Sequence, residues 1–160
     1  MRFSTTISVD VDAAWAVLDR YTRAESRLFH ESRPVGMERI EKPTDGRQSG
    51  NYRVVTYDGV DVWELDVSTE PDHRRLAYTI PGFGGAVHHQ AVLELTPVDD
   101  KSVVVPWVTD VYPDSYLDLY PHDVYQENFD HLAASLERGD ANTVAPATVG
   151  GQTWESRTSR

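Results

Sequence analysis

Four residues in this chain suit proton transfer without a cofactor: His89, Asp61, Tyr52 and Tyr78. His89, Ala91, Leu93 and Leu95 alternate with His88, Gln90, Val92 and Glu94, so a regular strand puts His89 on the core side and His88 outside. Burial disfavours the imidazolium, leaving a neutral ring able to accept a proton. A histidine whose ring is satisfied by a neighbouring backbone group fits the same placement. Asp61 lies one residue past a tight turn, where a carboxylate can serve as a base at a pocket rim or can simply be solvated. Tyr52 and Tyr78 are donors for a carbonyl oxygen, with Tyr125 a third from a helix, although buried tyrosines commonly bond the backbone instead.

Other chemistries lack their residues. The chain has no cysteine, which removes disulfides, thiolate nucleophiles and cysteine-ligated metals. Gly82, Gly84 and Gly85 are not followed by the lysine and hydroxyl of a phosphate loop, and no Gly-x-Ser-x-Gly element is present. His122 and His131 are nine residues apart on one helix and so point about 180° apart. No metal and no cofactor are expected. A net charge of −11 with pI near 4.8 repels phosphate backbones and anionic headgroups, so neither nucleic acid nor membrane is an expected partner. With no apolar run of spanning length and no leader-like start, a cytoplasmic location is expected, as a monomer or homodimer.

The elements that must position these residues follow from periodicity. Phe3, Thr5, Ile7 and Val9 alternate as an opening strand. Asp10 caps a helix with Val11, Trp15 and Leu18 on one face. Thr22 and Glu25 have the capping-box spacing of a second short helix carrying Leu28 and Phe29, the apolar edge of a cavity wall or plain core. From Gly36 to Tyr112 the pattern is an antiparallel meander. Asp58-Gly59 between two alternating segments specifies a hairpin in which Tyr57 faces Val60. Arg53, Val55, Tyr57, Val60, Val62, Glu64 and Asp66 then share one side, and Tyr52, Val54, Thr56, Asp61, Trp63, Leu65 and Val67 the other. The second set holds the indole and fewer charges, and is assigned to the concave side.

Phe83 sits in a glycine-rich loop that could act as a gate. Val103, Val105, Trp107, Thr109 and Val111 are expected to face inward, and Pro106 implies a free edge or bulge. Residues from about Pro121 to Arg138 read as one amphipathic helix with Tyr125, Asn128, Phe129, Leu132 and Leu136 on or beside its apolar face, stopped by Gly139. Residues 1–138 are thus expected as one α+β domain, a curved antiparallel sheet around a long carboxy-terminal helix, and 139–160 as a flexible tail.

The order of strand, two small helices, meander and long helix resembles the helix-grip fold of the START-like (SRPBCC) superfamily. Thr6 to Leu18, with Trp15 early in the first helix, carries that likeness. So do the hairpin ending in Trp63-Glu64-Leu65, the Tyr78 strand, Val105-Pro106-Trp107 and the Phe129–Leu136 segment. Within it the chain resembles the small bacterial polyketide cyclase/dehydrase group. The resemblance implies a cavity between sheet and helix for a hydrophobic or aromatic polyketide-like molecule, cyclised or dehydrated by acid–base catalysis. His89, Tyr78, Tyr52 and Asp61 would be the catalytic set; Trp63, Trp107, Thr56, Phe83, Tyr125, Asn128, Phe129 and Leu28 would contact the ligand. A non-catalytic carrier for a lipid or natural product is the alternative. Cyclases of this group tend to place an arginine in the cavity, whereas the face assignment puts Arg53 outside.

Overall fold

A computed structural model describes residues 1–29, 32–42, 47–57, 59–82, 85–115 and 122–139. Eight strands form one antiparallel sheet: β1 (Arg2–Ile7), β2 (Ser32–Ile40), β3 (Gly50–Tyr57), β4 (Val60–Glu70), β5 (Arg75–Thr79), β6 (His88–Glu94), β7 (Thr96–Asp99) and β8 (Ser102–Tyr112). Their order is β1-β8-β6-β5-β4-β3-β2, with β7 on β8. Helix α1 (Val11–Thr22) follows β1, and α2 (His122–Arg138) closes the described chain. This is the helix-grip fold, α+β, with the sheet curved around α2. No described helix is long and apolar enough to cross a membrane.

Local chemistry explains the boundaries. Asp10 Oδ1 accepts from the N–H groups of Asp12 (2.9 Å) and Ala13 (3.0 Å), satisfying two orphan donors at the start of α1. The buried face of α1 is Ala14, Val17, Leu18 and Tyr21, so Trp15 is only partly buried. Gly139 ends α2 at φ +69°, a conformation glycine adopts without steric cost. On α2, Tyr125, Phe129, Leu132, Ala133 and Leu136 are buried, and the last three pack with Phe3, Ile7, Leu18, Leu76, Leu93, Val103 and Val105 into one core.

The second short helix does not form. Thr22 is the last residue of α1 rather than a cap, and its Oγ1 donates back to the Asp19 carbonyl at 2.6 Å. Ala24 then takes φ +56°, a left-handed conformation that turns the chain away from helix. Leu28 and Phe29 are delivered by an irregular segment instead. The meander expected from Gly36 begins earlier, at Ser32, with a register shift between Pro34 and Gly36. Pro106 falls where β8 leaves β7, paired through Val104, and before it meets β6 at Trp107, so its missing N–H costs no ladder bond on that side. Pro121, the expected start of the long helix, and residues 140–160 of the expected tail lie outside the described residues.

The hairpin register is as expected, with Tyr57 opposite Val60 and Arg53 opposite Glu64. The face assignment is inverted. Val55, Tyr57, Val62 and Glu64 line the concave side together with Tyr125 and Asn128 of α2. Tyr52, Val54, Thr56, Asp61, Trp63 and Leu65 lie on the other side. There Arg47 stacks on Trp63 at 4.1 Å, and Tyr52 packs edge-on against Trp63 while bonding Gln48, so on the outer face too an aromatic, Tyr52, is buried and Trp63 half-buried.

Candidate functional site

The cavity opens between the β3–β4 hairpin, the facing ends of β5 and β6, the middle of β8, and the first turns of α2. Its walls are Phe29, Val55, Val62, Tyr78, Ile80, Trp107, Val124 and Tyr125, with Ser32, Tyr57, Glu64, His89 and Asn128 as polar members. It offers about 100 Å³ of room, and about 660 Å³ when the mouth shared with solvent is included. Phe29, Trp107 and Tyr125 pack in sequence, with ring centroids 5.2 and 5.6 Å apart, giving the wall flat aromatic faces.

Beneath this wall lies a buried ion pair. Arg53 Nε donates to Glu64 Oε2 at 2.6 Å, with the side chains 1% and 6% exposed. Tyr21 of α1 donates its hydroxyl to the same oxygen at 2.7 Å. The guanidinium stacks 3.9 Å from the Tyr21 ring centre and 5.3 Å from that of Tyr78. Glu64 Oε2 therefore carries both contacts. Among the described residues Oε1 accepts no hydrogen bond, and Glu64 lines the cavity. Burial, reinforced at Tyr78 by the Glu64 charge, holds the Tyr21 and Tyr78 phenols well above their ordinary pKa, with Arg53 opposing. Both stay protonated donors. The Trp107 indole N–H lies close to the Tyr78 hydroxyl without completing a hydrogen bond.

His89 lies on the cavity wall as its strand phase requires, 7% exposed, while His88 faces out toward Asp110. Burial, and secondarily the neighbouring His88, push its pKa down to about 4. Its Nδ1 accepts from the Ile80 N–H at 3.3 Å, so the neutral ring is assigned its proton on Nε2. At neutral pH this imidazole is a donor at Nε2.

The structure thus gathers Tyr78, His89, Trp107, Tyr125 and Asn128 around one cavity. It separates Tyr52, Asp61, Thr56 and Trp63 from it: Asp61 accepts from Thr56 Oγ1 at 2.8 Å on the outer side, and Tyr52 is occupied by Gln48. Leu28 and Phe129 are core residues, the latter stacked on Phe3 at 5.6 Å. Phe83 lies outside the described residues. Sequence reasoning missed Arg53, Glu64 and Tyr57. The signal was available in the register, because an arginine directly across from a glutamate forms a pair that can be buried together.

A helix gripped by a curved antiparallel sheet, with an aromatic-lined cavity between them, defines the START-like (SRPBCC) class. Residues 1–137 match the family described as polyketide cyclase/dehydrase and lipid transport, and the chain belongs to that family. No curated protein matches the sequence. Among solved structures, a protein from Thermobifida fusca is similar at TM-score 0.60 and 22% identity, over 88% of this chain and 94% of that one. The di-domain ARO/CYC StfQ of the steffimycin biosynthetic pathway is similar at 0.60 and 13%, over 86% of this chain and 45% of that one. Norcoclaurine synthase from Thalictrum flavum, solved with dopamine and hydroxybenzaldehyde, is similar at 0.58 and 12%, over 86% and 83%. These likenesses establish the fold.

Proposed function

We propose that the protein binds a hydrophobic polyketide-like molecule in this cavity and promotes its cyclisation or dehydration, with Glu64 as the base. The observation that carries this reading is a glutamate that lines an aromatic-walled cavity, with Oε2 held by Arg53 and Tyr21 and Oε1 accepting no hydrogen bond among the described residues, in a polyketide cyclase/dehydrase family member. A methylene between two carbonyls gives its proton to Glu64 Oε1, and the enolate carbon attacks a third, more distant carbonyl of the same chain. Glu64 returns the proton to the new alkoxide. Removal of a further α-proton then expels the hydroxyl as water, so atoms balance without an oxidant or reductant. Arg53 holds the carboxylate in place, Tyr78 offers an O–H to the developing oxyanion, and His89 contributes a neutral ring to the wall. Trp107, Tyr125 and Phe29 hold the chain folded so that the carbons meet.

A second reading, a carrier for a lipid or natural product, draws on the charge of Glu64 being already compensated by Arg53 and on the family's description including lipid transport. Incubating the protein with an extract rich in poly-β-carbonyl intermediates, with chromatographic separation and mass spectrometry over time so that isomers of equal mass are resolved, separates the two. Catalysis predicts a bound product of equal mass or lighter by one water, lost in Glu64→Gln. A ligand recovered unchanged at stoichiometric amounts contradicts catalysis and supports the carrier.

A further inference from the structure

The cavity carries polar groups at two ends with an apolar rung between them. On the concave side of the β3–β4 hairpin the cross-strand pairs run Arg53–Glu64, Val55–Val62, Tyr57–Val60. Four residues of strand, roughly 13 Å, separate the first pair from the last. At the inner end Glu64 Oε1 is an acceptor. At the outer end the Tyr57 hydroxyl accepts from Asn128 Nδ2 at 3.2 Å, which fixes the oxygen and leaves its proton to donate. Among the described residues that proton meets no acceptor. The same Nδ2 donates to the Val124 carbonyl at 3.1 Å, where an amide oxygen would face another oxygen, so the orientation of Asn128 is set by its own helix. Tyr57 and Asn128 therefore join β3 to α2 beside the cavity, with the phenol held for a ligand.

We infer that the cavity selects molecules with a planar apolar body, a hydroxyl at one end donated to Glu64 Oε1, and a carbonyl at the other accepting from Tyr57, with Asn128 as the positioning residue. The ligand class is a hydroxyaryl ketone or its enolic equivalent. Phenol and enol hydroxyls and acidic methylenes are alternative donors to the same Glu64 oxygen, so this specificity rests on the binding reading above and deepens it. A molecule lacking the hydroxyl leaves a buried carboxylate oxygen without a donor, and one lacking the carbonyl leaves the Tyr57 proton without an acceptor.

Three probes of similar shape test this: 4-hydroxychalcone, chalcone, which lacks the hydroxyl, and 4-hydroxystilbene, which lacks the carbonyl. Dissociation constants are read by tryptophan fluorescence or calorimetry. The expected result is that 4-hydroxychalcone binds about tenfold or more tighter than either of the others. Tyr57→Phe, a half-buried position whose change spares the core, removes the advantage over 4-hydroxystilbene and keeps the advantage over chalcone. Asn128→Ala does the same, and adds nothing in the Tyr57→Phe background. Equal affinity for all three probes overturns the specificity while leaving the cavity a binding site. A uniform loss across the probes in Tyr57→Phe overturns the role of Tyr57. Failure of all three to bind overturns the specificity together with the reading it rests on.

Discussion

Replacing Arg53 by methionine isolates the buried ion pair. The substitution keeps much of the side-chain volume but leaves Glu64, 6% exposed, as a charge whose remaining protein partner is the Tyr21 hydroxyl. Removing one member of a buried pair costs about 3–5 kcal/mol. The 2.6 Å contact and the guanidinium stacked over two tyrosine rings argue for the upper part of that range. For a domain of this size each kcal/mol lowers the melting temperature by about 2–4 °C, so a loss of about 4–5 kcal/mol means Arg53→Met should melt roughly 8–20 °C below wild type. Removing the whole network removes the orphaned charge too. The triple variant Tyr21→Phe/Arg53→Met/Glu64→Leu is expected to regain most of that loss, because apolar replacement of a buried pair is often neutral or stabilising by about 1–4 kcal/mol. Thermal and urea unfolding followed by circular dichroism measures both, and the cycle through the single variants gives the coupling. The triple variant should fold and yet convert nothing, separating the pair's service to function from its service to stability. Arg53→Met melting within about 2 °C of wild type, or single effects that simply add, would refute the picture of a desolvated, coupled pair.

Three further outcomes follow from the packing. His89 has a folded-state pKa of about 4 against 6.5 unfolded, so between those values the unfolded chain binds a proton that the folded protein does not. Its contribution of about 3 kcal/mol is therefore fully present above pH 6.5 and is lost as pH falls toward 4, and His89→Gln should flatten that part of the stability profile measured by urea unfolding. At Gly50 an added Cβ would stand 2.4 Å from Leu65 Cδ1, in a backbone conformation with φ +156°, so Gly50→Ala should destabilise by about 1–3 kcal/mol, and Gly50→Ala/Leu65→Ala should show coupling rather than additivity. Leu136→Ala, at a position with no exposure, should lose about 2–5 kcal/mol in the same assay without altering the ligand preference at the hairpin end of the cavity.

The sequence made most of the scaffold legible because its signals were local. Asp58-Gly59 set the register of β3 and β4, and alternation put His89 inside and His88 outside. Steps of four, three and four along α2 marked Tyr125, Phe129, Leu132 and Leu136 as buried. The second short helix was misread because a capping-box spacing does not reveal that Thr22 is already used by α1, nor that Ala24 turns left-handed. The larger error, the face of the hairpin, has a single physical origin. Counting charges treats Arg53 and Glu64 as two reasons to face water, whereas paired across the strands and joined by Tyr21 from 43 residues away they neutralise each other and can be buried. Tyr21 reaches them only in the tertiary fold. The same inversion hid Tyr57 and brought forward Tyr52, Trp63 and Asp61, so the candidate site was legible where a strand's own phase fixed it and illegible where burial depended on a long-range partner.

Deuterium uptake at C2 of a bound β-diketone tests the assignment of Glu64 most directly, since it reads removal of the carbon-bound proton without requiring the natural substrate. With 1-phenyl-1,3-butanedione in D2O, followed by proton NMR, the protein should accelerate exchange over buffer at equal pH. Glu64→Gln should lose that acceleration by about 10²–10⁴-fold while still binding the diketone by fluorescence titration. Exchange that persists in Glu64→Gln at the wild-type rate would contradict the account.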